Sequence, residues 1–290
     1  MKIEELKRRR SVRSYSPTPL TEQQIAAIKA AITAVNSHEA GLHFSLVTNS
    51  SEAFKGFGRS YGMLRGVNNY IVLAIDSSSY DYMEEKAGYY AQMLVTKIVA
   101  MGLGTCFVGG TFSRKHVGVP MRAGWTIPAV ITLGYPADTA DSTIARLAKK
   151  IAKRHSKSPE EFYCNKGVTI SDAYKLFPTL PQALEAVSCA PSALNKQPES
   201  FAVTKNGDRT KYTDTEYEIM DAEAQMRREL SSDGAEQIRL IRNPNYIIEA
   251  RVKQPSQHID LGIAMWNFEQ LFAGYWLWGN PAIFLPADTK

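Results

Sequence analysis

The sequence predicts an α+β protein made of two similar halves on one chain, and three observations carry that expectation. Apolar runs rich in β-branched residues read as strands, and two of them, Asn69–Val72 and Asn245–Ile248, open on the same Asn-Tyr-Ile pattern. The surrounding elements recur in one order in both halves: helix, strand, strand, then a long helix ending at glycine. Between the two copies, Pro159, Gly167, Pro178 and Pro181 interrupt the periodic pattern, which places the join near residues 155–180.

Ile3 and Leu6 begin the chain with a short helical pattern. Ala30–Val35 ends a helix that leads through Asn36 to a strand at Leu42–Val47, and its counterpart is Ala183–Val187 leading to Ser200–Val203. Ala87–Met101 reads as a long amphipathic helix stopped by Gly102, matched by a helix from Leu261 to Gly274. Ile127–Pro136 reads as the strand closing the first copy. A repeat of this kind implies halves of residues 1–160 and 161–290, pseudo-symmetric and packed as an internal dimer.

With 44% hydrophobic and 22% charged residues, the 290-residue chain has the composition of a globular protein rather than a disordered one. No run reaches the apolar length that crosses a bilayer, and Met1 leads into a charged segment rather than a secretory signal, so a cytoplasmic location is expected. Cys106, Cys164 and Cys189 lack metal-type spacing and are expected to be reduced and packed. There is no His-Glu metal spacing, no nucleophile elbow and no P-loop lysine, and the five histidines are scattered.

The net charge of +5 is concentrated in Lys7–Arg13 and in Arg146–Lys157. Both clusters carry structural punctuation. Tyr15 is followed by Ser16-Pro17, and Ser158-Pro159-Glu160-Glu161 has an N-cap, a proline and first-turn acids. Ordered cations suggest a defined anion. Solvation of a helix terminus and nucleic-acid binding are the other readings of such clusters. The lack of interleaved aromatics beside Arg8–Arg13, Tyr15 apart, weighs against nucleic acid.

Arg9-Arg10-Ser11-Val12-Arg13, Ala190-Pro191-Ser192-Ala193-Leu194-Asn195-Lys196-Gln197-Pro198, Gly102-Leu103-Gly104-Thr105-Cys106-Phe107-Val108-Gly109-Gly110 and the closing Gly134-Tyr135-Pro136 together resemble the nitroreductase family. The resemblance is close over most of residues 5–160 and patchy beyond. It implies a nitroreductase-like fold and bound flavin mononucleotide (FMN). In that reading Arg9, Arg10, Ser11 and Arg13, on a tight loop, hold phosphate and ribityl through the bidentate contacts arginine makes best. Val108, Gly109 and Gly110 bring backbone to one side of the ring, and Pro191, Ser192, Ala193 and Asn195 cover it from a loop that relatives supply from a partner subunit. A further phosphate contact is implied for Arg154 or Lys157. No catalytic side chain and no metal ligand is implied. Glu199 departs from the family, which usually follows Gln-Pro with tryptophan.

The arginine segment belongs only to the first copy and the Pro-Ser-Ala-Leu-Asn segment only to the second, so one FMN site per chain is expected. The resemblance implies hydride transfer from NAD(P)H through the flavin to a small-molecule acceptor such as a nitroaromatic or quinone. The partners implied are small molecules, with no nucleic acid and no membrane, in a monomer acting as a pseudo-dimer that is free to oligomerise further. Two alternatives stay open: a flavin enzyme of the same fold with other chemistry, such as dehalogenation or flavin breakdown, and a flavin-free binding scaffold. The charged stretch Asp208–Gln237 is where a different specificity would lie.

Overall fold

The computed structural model describes residues 2–55, 64–137, 156–207, 209–232 and 235–288. A short helix α1 (Ile3–Arg8) opens the chain. The backbone gathers into two compact units: an amino-terminal one of Lys7–His155 with Ala193–Lys196, and a carboxyl-terminal one of Met1–Leu6, Ser156–Ser192 and Gln197–Lys290.

In the amino-terminal unit, helix α2 (Glu22–His38) is started by a capping box in which Thr21 Oγ1 accepts from the Gln24 amide and the Gln24 side chain accepts from the Thr21 amide. Asn36 then binds both backbone polar groups of Phe44, fixing α2 to β1 (Leu42–Val47). The sheet adds β2 (Tyr70–Ile75), β3 (Gly104–Val108) and β4 (Thr126–Gly134) in the order β1-β2-β4-β3, antiparallel throughout. All six β2 residues are buried, as a continuous apolar run in a central strand requires. Helix α3 (Met83–Ala100) buries most of its length and begins four residues earlier than the sequence pattern suggests, with Glu84 and Glu85 in its first turn. At its other end Gly102 takes the left-handed φ of +80° that the turn into β3 requires.

The carboxyl-terminal unit repeats this order. Its sheet contains β5 (Ser200–Lys205), β7 (Tyr246–Arg251), β9 (Ala282–Asp288) and β8 (Gly274–Leu277), with β5-β7-β9-β8 pairing as β1-β2-β4-β3 does. A two-residue strand, β6 (Arg239–Leu240), pairs with the end of β9. Helix α5 (Leu180–Ser188) stands where α2 stood, and α7 (His258–Glu269) where α3 stood. Asn267 of α7 donates to Ala186 O of α5 at 2.8 Å. The core is aromatic: Phe201 stacks on Phe268, with Trp276 and Phe284 set edge-on. The proline-interrupted stretch between the copies holds a helix of its own, α4 (Ile170–Leu176), capped by Thr169.

The charged stretch after β5 folds as α6 (Asp214–Ser231), again started by a capping box, between Thr213 and Glu216. Its inner face presents Tyr217, Met220, Ala224 and Arg227. The Arg227 guanidinium lies over the Tyr275 and Trp278 rings, 4.4 and 4.6 Å from their centroids, and donates to Trp276 O and Tyr275 Oη. Glu249 is a second buried charge, on β7 between Ile248 and Ala250. Burial alone would raise its pKa, but hydrogen bonds from Lys166, Arg209 and Arg251 hold it at about 2.

Gly274 is closely packed. A Cβ there would lie 2.4 Å from the Leu285 carbonyl oxygen and 2.4 Å from the Phe284 ring. Gly274→Ala is therefore expected to cost roughly 1–3 kcal/mol by forcing β8 and β9 apart. A urea titration should show the lowered midpoint; an unchanged midpoint would contradict the close packing.

Candidate functional site

Residues 11–16 form an extended segment, so Ser11 and Arg13 do not lie on the tight loop expected for Arg9, Arg10, Ser11 and Arg13. The reason is a set of partners distant in sequence. Ser11 bridges Thr105 in parallel, and the Val12 amide donates to Thr105 O at 2.8 Å. The Arg65 amide donates to Arg13 O, and the Tyr15 amide donates to Arg65 O. The Ser16 amide donates to Tyr135 O, and the Ala137 amide to Ser14 O. Val12 and Tyr15 point into the core, where the Tyr15 hydroxyl lies 2.7 Å from Val12 O and 2.7 Å from Thr132 Oγ1. Ser11 and Arg13 remain partly exposed on the alternate positions, Arg9 is partly exposed and Arg10 is exposed.

This segment lies against the start of β3 because residue 104 has no side chain. A Cβ on Gly104 would meet Val12 Cγ2 at 2.5 Å. Cys106, two residues along β3, is buried beside the cations: burial pushes its thiol pKa up, while Arg13, Arg9 and a hydrogen bond with Ser11 pull it the other way. At the far end of β3, Val108 is buried, and Gly109 and Gly110 are exposed. Among the described residues, its chain neighbours aside, no atom lies within 4 Å of where a Gly110 Cβ would be. Arg114, which no motif marked, braces this end by donating to Gly109 O at 3.1 Å and Ile127 O at 2.8 Å.

Pro191 is buried, Ser192 and Asn195 are half-buried, and Ala193 is exposed. The turn bends through left-handed backbone at three non-glycine residues: Leu194 at φ 55°, Asn195 at 52° and Gln197 at 45°. Each such residue stores strain that surrounding contacts must hold, least for asparagine. Gln197 does so from both sides, accepting from the Lys157 amide and donating to Ser188 O, while its own amide donates to Ser192 Oγ. Lys157 is half-buried, its ammonium on Gln197 O and over the Phe162 ring. Arg154 lies outside the described residues.

The compact units divide these residues. Arg9, Arg10, Ser11, Arg13, Val108, Gly109, Gly110, Ala193 and Asn195 fall in one unit, whereas Lys157, Pro191 and Ser192 fall in the other. Glu199 is the residue whose character sequence reasoning did not capture. It is 2% exposed, and its Oε1 has no hydrogen-bond partner among the described residues. Burial pushes its carboxyl up to about 8, opposed by a backbone hydrogen bond, reinforced by Asp260 and opposed by Lys157.

Two outcomes follow. Gly104→Ala should push Val12 off β3 and shift the arginines, visible as broadened or displaced arginine side-chain NMR signals; unshifted signals would mean Val12 can turn aside. For Glu199, the folded carboxyl binds its proton more tightly than the unfolded one, whose ordinary value is 4.5. Its contribution to stability is therefore complete below about pH 4.5 and is lost progressively as pH rises toward 8. Thermal melts of wild type and Glu199→Gln should show the variant gaining on wild type from pH 5 to pH 9; a constant difference would show an ionised Glu199.

A family model described as "Putative TM nitroreductase" matches residues 2–271. A "putative nitroreductase" structure from Thermotoga maritima superposes with a TM-score of 0.55 at 18% identity, covering 100% of this chain and 95% of its own. An FMN-dependent nitroreductase from Clostridium difficile covers 49% of this chain and 91% of its own, with 21% identity and a TM-score of 0.40. No curated protein matches this chain. The family match over nearly the whole chain, on a fold shared end to end with the Thermotoga maritima protein, shows that this chain belongs to the TM nitroreductase family.

Proposed function

We propose that the chain is an FMN-dependent oxidoreductase that takes hydride from NAD(P)H and delivers it to a small acceptor such as a nitroaromatic or a quinone. One observation supports this beyond family membership. Ala193–Lys196, far downstream, belongs to the same compact unit as the arginine segment and the glycine-rich end of β3. The donor set fits FMN chemically: three guanidiniums and a hydroxyl within five residues suit a phosphate dianion, and exposed glycines suit a flat ring.

Bound FMN would supply the two-electron chemistry, and the protein supplies binding, orientation and electrostatics. Arg9, Arg10 and Arg13 would neutralise the phosphate, with Ser11 donating a hydroxyl. The backbone of Val108, Gly109 and Gly110, with Ala193 and Asn195 of the same unit, would hold the ring. No side chain is assigned to the chemical step.

Flavin titrations test the phosphate assignment. Losing a charge-assisted contact costs ~1.5–3 kcal/mol, so Arg13→Ala should weaken FMN binding about tenfold to a hundredfold. Riboflavin, which lacks the phosphate, should bind both proteins alike. Lys175→Ala removes an exposed ion pair with Asp172 and should change neither affinity. Equal FMN affinities for Arg13→Ala and wild type would move the phosphate elsewhere.

A further inference from the structure

The Arg-rich segment and the Pro191–Asn195 turn have functions assigned above, but the device that holds the turn does not. Lys157 and Gln197 are joined twice. The Lys157 amide donates to Gln197 Oε1 at 2.8 Å, and the Lys157 ammonium donates to Gln197 O. Gln197 is 2% exposed, and its side-chain amide donates to Ser188 O, at the end of α5, at 3.0 Å. Its backbone amide donates to Ser192 Oγ at 2.8 Å, which closes the turn upon itself. The ammonium also lies 5.1 Å from the centroid of the fully buried Phe162 ring, so the lysine stem is held as well.

Inside this closure, Leu194 and Asn195 have φ of 55° and 52°, and Gln197 itself has 45°. Left-handed backbone at Leu194 and Gln197 is unfavourable by itself and persists only where neighbouring contacts fix it. The four hydrogen bonds at Gln197 are those contacts. A lysine whose ammonium is spent on a carbonyl and an aromatic face is poorly placed to serve a phosphate as well.

We infer that Lys157 and Gln197 are positioning residues that hold the Pro191–Lys196 turn in its ligand-binding form, and that Lys157 acts on flavin affinity through the turn rather than by touching phosphate. This rests on the flavin-binding function proposed for the chain. The two roles separate by ligand: a phosphate contact affects FMN alone, whereas a turn that shapes the ring site affects FMN and riboflavin equally.

The test titrates FMN and riboflavin into flavin-stripped full-length wild type, Lys157→Met, Lys157→Arg and Gln197→Met, following flavin fluorescence. Wild type should bind both flavins. Lys157→Met and Gln197→Met should weaken both by the same factor, about tenfold for loss of a charge-assisted or buried hydrogen bond. Lys157→Arg keeps a cationic donor and should restore most of the affinity. Should Lys157→Met fail to fold, Gln197→Met makes the same comparison without removing the charge. A loss confined to FMN in Lys157→Met, or unchanged affinity for both flavins in the two methionine variants, would overturn the inference. Failure of wild type to bind either flavin would instead remove the function on which it rests.

Discussion

The amino-terminal candidate site depends on Val12 lying against a position that has no side chain. A Cβ at Gly104 would sit 2.5 Å from Val12 Cγ2, closer than packed carbons approach. Without it, the Ser11–Val12 backbone pairs with Thr105, and the extended run continues to Ser16 through Arg65 and Tyr135. Along it Val12 and Tyr15 are buried in the core, while Ser11 and Arg13 stay partly exposed. Arg13 is consequently carried on backbone that is hydrogen-bonded to Arg65.

At the other candidate element the same problem is solved differently. Residues 191–197 pair with no strand among the described residues, and their left-handed turn is instead closed by Gln197. Its glutamine is buried and bound on every side, while Leu194 within the turn is 62% exposed. An exposed leucine on a conformation that leucine disfavours is a local inconsistency of the kind that clusters at ligand sites.

Much of the fold was legible because its signals are local. Asn69–Val72 and Asn245–Ile248 announced equivalent strands, and these are β2 and β7, central in sheets of the same order. Gly102 announced the end of α3, since only its positive φ lets the chain turn straight into β3. What stayed hidden depends on distant partners. The extended form of residues 11–16 requires Arg65, Thr105 and Tyr135; Thr105 and Tyr135 lie in motifs, but nothing in the spacing marks their pairing with this segment. Arg227 is one cation in the charged stretch Asp208–Gln237, and only its place over the Tyr275 and Trp278 rings sets it apart. Lys157 reads as one cation among several, and only its bonds to Gln197 set it apart. Glu199 was visible as a departure from the family's tryptophan, but its burial beside Asp260 and Lys157 was not.

The proposed function rests on a difference between the two copies: only the first carries the arginine segment, and only the second carries the Pro-Ser-Ala-Leu-Asn turn. The most direct measurement is the ratio of released FMN to protein after saturation of the purified full chain and removal of unbound cofactor. A ratio near one is the expected result. A ratio near two would show that each copy builds a complete site, and would contradict the division of roles between residues 9–13 and 191–195.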